Sequence, residues 1–268
     1  MESLCRRIGM PEEVISEVMK IDRDPEFHPD CKKLLTPETW DEGLAELKKA
    51  LAPDPDGFKM LCAQLRCAKA AEAEFRRLGF NSEIYEDTMA AFSRFVKEHL
   101  ESFGHYGFDR EFWMVRQISC MLFRIGQLEY ELTYQNGELV IELHIPSDTD
   151  MSLPGLRQSY LEARKLLNEI FPEFRDARIH CHSWLLSPDL GELLPKHSKI
   201  LKFQRAFSIS PAENGESDVI LWVFKNRDYA LEDLPETTSL QRSMKKFLLA
   251  GGVFHDGEGF LSEDPFLD

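Results

Sequence analysis

The chain has 268 residues, 43% of them apolar and 11% aromatic, enough to bury the core of one large or two ordinary domains and too apolar for a disordered chain. Its 47 acidic against 32 basic residues leave a formal charge of -15, which disfavours nucleic acid as a partner and suits a neutral or cationic substrate. No apolar run is long enough to span a bilayer and "MESLCRRIGMPEEV" lacks the apolar segment of a secretory signal, so no membrane partner is expected and the expected compartment is the cytoplasm.

The first hundred or so residues read as helices. "MPEEVISEVMKI" sets Pro11 at a first helical position, with Val14, Ile15, Val18 and Ile21 at helical spacing. "TPETWDEGLAELKKAL" offers Thr36 as cap, Pro37 just inside, and Trp40, Leu44, Leu47 and Leu51 along one face. After the turn cluster "APDPDG", "FKMLCAQLRCAKAAEAEFRRLGF" predicts a long helix, and "SEIYEDTMAAFSRFVKEHLESFG" a fourth that ends at Gly104. One more helix is predicted around Arg110 to Leu122 before the period changes. The expected division is a helical domain over 1–108 and a second domain over 109–268.

Alternation then takes over. In "RIGQLEYELTY" Leu128, Tyr130, Leu132 and Tyr134 share one face, and Gln127, Glu129, Glu131 and Thr133 the other. Asn136-Gly137 suits a type I′ hairpin turn. The returning "ELVIELHI" puts Leu139, Ile141, Leu143 and Ile145 on one face and Val140, Glu142 and His144 on the other, so the two glutamate-bearing faces belong together. The loop "PSDTDMSLPG" leads into a helix with the stripe Leu156, Tyr160, Ala163, Leu167 and Ile170, closed by Pro172. "RIHCHSWLL" is a predicted strand and "SPDLGELL" a short helix with Ser187 as cap. "ILKFQRAFSI" is a further strand, "DVILWVF" an interior strand apolar on both faces, and "SLQRSMKKFLL" a last helix before an acidic tail.

From residue 125 the order is β, β, α, β, short α, β, β, α; the helix between the second and third strands predicts a parallel pair in an otherwise antiparallel sheet. That order is similar to the GNAT acyltransferase fold. "FDREFWMVRQ", "LEYEL", "HIPSD", "CHSWLLSP" and "RFVKEH" resemble a bacterial family of acyltransferase-domain proteins that joins a helical amino-terminal domain to a GNAT-like carboxy-terminal one. The resemblance covers nearly the whole chain. It implies an α+β fold, an N-terminal helical subdomain plus a GNAT-like mixed β-sheet flanked by helices. It also implies transfer of an acyl group from a small-molecule donor, acyl-CoA or acetyl-CoA as co-substrate, to an amine acceptor.

In the GNAT fold the acyl-CoA lies where two parallel strands splay apart, here "LVIELHI" and "RIHCHSWLL". The pantetheine pairs with the first strand and the pyrophosphate meets the amides that open the next helix, where unpaired N–H groups and the positive dipole end suit phosphate. The implied cofactor-binding residues are Ile145, Gly155, Leu156 and Arg157. The family's Arg/Gln-x-x-Gly-x-Gly/Ala segment is replaced by "PSDTDMSLPGLR", which sets Asp148 and Asp150 where phosphate approaches and leaves Arg157 to offset their charge. This departure keeps a second function open, a non-enzymatic ligand-binding or interaction module on a GNAT-like fold.

Acyl transfer to an amine needs a base for the ammonium proton and donors for the developing oxyanion. His144 is the candidate base, with a strand-end histidine that satisfies a loop as the alternative. Ser147 and Ser183 are the further catalytic candidates, and "PSD" also reads as a turn bonding its own backbone. Glu142, Asp148, Trp184, Trp113 and Arg116 are candidates for the substrate cleft. His180, His182 and Trp184 fall on one strand face, and Cys181, Ser183 and Leu185 on the other. A zinc site needs three or four ligands, so no metal is expected from the His-x-His pair, although His144 is a conceivable third ligand. A Cys181 nucleophile would face away from His182. The six cysteines, at 5, 31, 62, 67, 120 and 181, form no CxxC pair and read as reduced thiols.

Overall fold

The computed structural model describes residues 1–214, 216–225 and 229–267. The chain forms two compact units, Met1–Ile125 and Gly126–Asp268.

The first unit carries α1 (Glu2–Arg7), α2 (Glu12–Asp22), α3 (Trp40–Leu51), α4 (Phe58–Leu78), α5 (Ser82–Met89), α6 (Ala91–Phe103) and α7 (Glu111–Ile118), followed by the short β1 (Leu122–Ile125). The central helix is α4, which buries Leu61, Cys62, Leu65, Ala68 and Phe75. It begins after Gly57, whose φ of +71° and close approach to the Phe108 carbonyl leave no space for a side chain. Three sequence expectations change here. The second predicted helix begins at Trp40 rather than beside Thr36, because residues 37–39 form a separate turn that Thr39 N–H closes on Thr36 O at 3.2 Å. The predicted fourth helix is two, α5 and α6, meeting at Ala90. The helix predicted to reach Leu122 stops at Ile118; Cys120, with φ +59°, turns the chain into β1.

The second unit contains β2 (Leu128–Gln135), β3 (Glu138–His144), α8 (Leu153–Ile170), β4 (Arg178–Ser183), α9 (Leu190–Leu193), α10 (Lys199–Gln204), β5 (Phe207–Asn214), α11 (Glu216–Val223), α12 (Ser239–Leu249) and β6 (His255–Leu261). Within this unit the strand order is β2-β3-β4-β6-β5. Only β3 and β4 run parallel in the described pairs, joined by α8; β2–β3, β4–β6 and β5–β6 are antiparallel. The hairpin turn between β2 and β3 has positive φ at both Asn136 and Gly137, as its sequence predicts. The expected α+β architecture, helices first and then a mixed sheet flanked by helices, is the observed one.

Alternation divides the sheet. Tyr130, Leu132, Ile141, Leu143, Ile179 and Cys181 are buried on one side, where α8 supplies Leu156, Ser159, Ala163 and Leu167. Ser159 Oγ lies 3.1 Å from the Tyr130 hydroxyl and accepts from Leu128 N–H at 3.2 Å, which joins helix to sheet. A second apolar cluster gathers Leu190, Val219, Val223, Phe224, Met244, Leu248 and Phe254.

The expectations after β4 need larger corrections. "DVILWVF" lies in and just beyond α11, a helix rather than an interior strand. "ILKFQRAFSI" is α10 followed by the start of β5 rather than a single strand. The short helix after β4 starts at Leu190, with Ser187 Oγ accepting from Asp189 N–H at 3.2 Å before it. The acidic tail contributes β6, inserted between β4 and β5. Among the described residues no helix is long and apolar enough to cross a membrane.

Candidate active site at the strand junction

The parallel pairing of β3 and β4 covers Val140↔Arg178, Ile141↔Ile179 and Glu142↔His180, and there it ends. Beyond that rung β3 continues to His144 against β2, while β4 continues to Ser183 against β6. The two strands part where His144 and Ile145 follow on one arm and His182 and Ser183 on the other.

The side of the sheet away from α8 carries a row of ionisable groups at this junction. Glu131, Glu142, His180 and Phe260 are register partners across β2, β3, β4 and β6. His144 Nε2–H donates to Glu131 Oε2 at 2.8 Å, with side chains only 20% and 13% exposed. An ionised carboxylate only accepts, so this contact places the proton of neutral His144 on Nε2 and its lone pair on Nδ1. One rung along, His180 Nδ1–H donates to both oxygens of Glu142, at 2.8 and 3.1 Å, and Gln135 Nε2 also donates to that carboxylate. His180 Nε2 faces Glu258 Oε2 at 3.9 Å. Each half-buried carboxylate of these two pairs has an imidazole partner, which offsets the cost of partly removing the charge from water.

The remaining sequence candidates lie around this junction or apart from it. Ser183 Oγ accepts from Leu185 N–H at 3.1 Å and caps the short 3-10 turn Trp184–Leu186. Its hydroxyl proton keeps the capacity to donate. Because β4 ends at Ser183, Trp184 leaves the strand face shared by His180 and His182, and packs against the second apolar cluster. Cys181 is fully buried under the opposite face; burial, then the Glu142 charge, pushes its thiol far up, which leaves it protonated at neutral pH. Ser147 and Asp148 are exposed in the turn that Thr149 N–H closes on Pro146 O at 3.1 Å.

Asp150 is tied ahead of α8. It accepts from Ser152 Oγ at 2.7 Å and from Lys199 Nζ at 3.0 Å, and these contacts, the Ser152 hydroxyl first, hold its carboxyl below the usual range. Gly155 and Leu156 lie in the first turn of α8, Leu156 buried in the core. Arg157 pairs with Asp264 at 2.7 Å and donates to Pro265 O at 3.0 Å. In the first unit, Arg116 lies over the rings of Trp113, at 4.8 Å, and Trp40, at 5.7 Å. Among the described residues no three His, Cys, Asp or Glu side chains are grouped to hold a metal ion.

The sequence alone points to His144 and Glu142, takes His180 only as half of a His-x-His pair, and assigns no role to Glu131 or Gln135. The signal for Glu131 was present in the alternation, which put it on the same face as Glu142 and His144.

Comparison with known proteins agrees with this architecture. The model of a GNAT-like C-terminal domain matches residues 122–261, more than half of the chain, and that of an N-acyltransferase N-terminal domain matches residues 1–120. The chain belongs to the GNAT-like family. Among solved structures, an acyltransferase in complex with decanoyl-CoA and teicoplanin is similar to this GNAT-like chain with a TM-score of 0.70 and 22% identity, over 97% of this chain and 98% of that one. A structure described as acyltransferase in complex with CoA and 10C-teicoplanin gives the same values. An acyltransferase mutant in complex with octanoyl-CoA matches with a TM-score of 0.67 and 21% identity, over 97% and 99% of the two chains. No curated protein matches this GNAT-like chain by sequence.

Proposed function

We propose that the protein is an acyl-CoA-dependent N-acyltransferase that acylates an amine on a small molecule. The observation that carries this reading is the strand junction, where β3–β4 pairing ends at Glu142↔His180 and the His144–Glu131 pair follows on the β3 arm. The similar acyltransferases were solved with decanoyl-CoA, octanoyl-CoA or CoA, which supports a donor of that class here.

In this reading the pantetheine runs between the diverging strands alongside Leu143 to Ile145, and the phosphates lie toward Gly155, Leu156 and Arg157 at the start of α8. Glu131 fixes the His144 ring and its tautomer. Nδ1 then takes a proton from the acceptor ammonium, directly or through water, and Glu131 stabilises the imidazolium that forms. The amine nitrogen attacks the thioester carbonyl, the N–C bond forms, the C–S bond breaks, and the second proton shed by the nitrogen goes to the departing sulfur, so that CoA leaves as the thiol. Ser147 and Ser183 are the candidate hydroxyl donors to the developing oxyanion or the departing sulfur. Glu142 and Asp148 are proposed for the acceptor side.

Calorimetric titration with acetyl-CoA, octanoyl-CoA and decanoyl-CoA tests the reading. Binding of at least one with a micromolar dissociation constant is expected. Absence of heat and of any thermal shift at millimolar ligand overturns it, in favour of a non-enzymatic ligand-binding or interaction module.

A further inference from the structure

The residues that follow β6 lie beyond the stretch matched by the GNAT-like domain model, which ends at 261. They are nevertheless held closely. Ser262 N–H donates to Ala206 O at 2.9 Å as β6 ends. The chain then follows α8: the Tyr160 hydroxyl donates to Glu263 O at 3.2 Å, and Arg157 engages Asp264 and Pro265 O. On its other side Phe266, only 4% exposed, stacks on Phe203 of α10 with ring centroids 5.7 Å apart and meets Phe207 edge-on. Residues 263–266 therefore form a strap bonded to both α8 and α10. Lys199, the first residue of α10, reaches Asp150 just ahead of α8.

Two cations thus stand at the start of α8, each engaged by a carboxylate of the same chain. Both pairs are accessible: side-chain exposure is 30% and 64% for Arg157 and Asp264, and 64% and 56% for Lys199 and Asp150. Ion pairs this exposed are weak, and phosphate, with more charge and more acceptor oxygens than a carboxylate, is a strong competitor for arginine and lysine. The buried Phe266 ring tethers the strap, so a displaced Asp264 stays at high local concentration and returns readily.

We propose that Asp264 and Asp150 compete with the phosphates of a CoA-type donor for Arg157 and Lys199, so that donor binding displaces the C-terminal strap from α8. The inference rests on α8 opening at the phosphate end of the donor site. It adds Lys199 to the donor-binding residues and makes the strap a regulator of that site.

The test compares CoA with pantetheine, which lacks the pyrophosphate, by calorimetry on the full chain. Asp264→Asn, which keeps Phe266 in place, is expected to tighten CoA binding about two- to fivefold, the scale of an exposed ion pair. Pantetheine binding should not change. Lys199→Ala and Arg157→Ala are each expected to weaken CoA by a similar factor and to leave pantetheine unaffected. A measurement that needs no variant accompanies these: addition of CoA should speed hydrogen exchange at the base of the strap, at the Ser262 amide bonded to Ala206 O. Unchanged strap exchange with unchanged CoA affinity in Asp264→Asn, while Arg157→Ala still weakens CoA, overturns the strap and spares the donor site. CoA binding by none of the proteins overturns the donor-site reading itself.

Discussion

The two sides of the sheet around β2, β3 and β4 are both largely closed to solvent, and their chemistry is opposite. Beneath α8 lie Ile141, Leu143, Ile179 and Cys181, with the Tyr130–Ser159 contact as the polar exception. On the reverse side, at the intervening rungs, lie Glu131, Glu142, His144 and His180. One pleated sequence supplies both because successive side chains point to opposite faces. The energetic roles differ accordingly. Apolar burial holds the fold, whereas polar and ionisable pairs shielded from water gain little over apolar residues of similar volume, because desolvation cancels much of their attraction. A row of four such groups at a strand junction is therefore explained better by chemistry than by stability.

Substitutions on the two faces should separate these roles. The largest effect is expected from His144→Gln, which should lower turnover about 100- to 10,000-fold, the usual contribution of a general base. Its donor affinity and unfolding midpoint should stay close to wild type; a mutant that unfolds but retains specific activity while folded would make His144 structural. On the apolar face Leu143→Ala, one residue away, should lower stability by about 2–5 kcal/mol in a urea titration. The folded fraction should still bind donor. A loss under 1 kcal/mol would show that the face is less tightly packed than its burial implies. Ser159→Ala should cost about 1–3 kcal/mol by the same measurement, because it leaves Leu128 N–H and the Tyr130 hydroxyl without their buried partner. Tyr130→Phe combined with Ser159→Ala should cost less than the sum of the two single changes.

The same contrast explains what could be read from the sequence. The β2–β3 hairpin was legible because alternation and the Asn136-Gly137 turn agree. The helical first unit was legible because its apolar spacing repeats over long segments. Residues 218–224 misled because a short run apolar on every side fits a buried helix as well as a buried strand. The tail concealed β6 because "HDGEGFL" lacks strand propensity, and its glycines have a tertiary cause. A Cβ on Gly257 would meet Leu186 O at 2.1 Å, and one on Gly259 would meet Ser208 O at 2.4 Å, so close backbone approach demands glycine at both. At the junction, alternation placed Glu131, Glu142 and His144 on one face. The partnering of His144 with Glu131 and of His180 with Glu142 depends on the register between strands, which periodicity within each strand does not specify.

The smallest expected effect lies off both faces, at Asp150, and it concerns acid. Its carboxyl is held below the ordinary aspartate range, first by the Ser152 hydroxyl and then by Lys199. A carboxyl depressed in the folded state stabilises that state above its unfolded pKa, and the contribution fades as pH falls through the folded value. The affected window is therefore below about pH 4, and neutral pH should be insensitive. Because the carboxylate is solvent-exposed, the consequence should be local, a loosening of the turn before α8. Hydrogen exchange at Ser152, Leu153 and Gly155, referenced to the middle of α8 and corrected for intrinsic rates, should rise from pH 5 to pH 3 in the wild type. In Asp150→Asn it should be flat and already raised at pH 5. Equal pH dependence in both proteins would mean that Asp150 does not secure the start of α8, and that the packing of Leu156 and Ser159 on the apolar face is sufficient to position it.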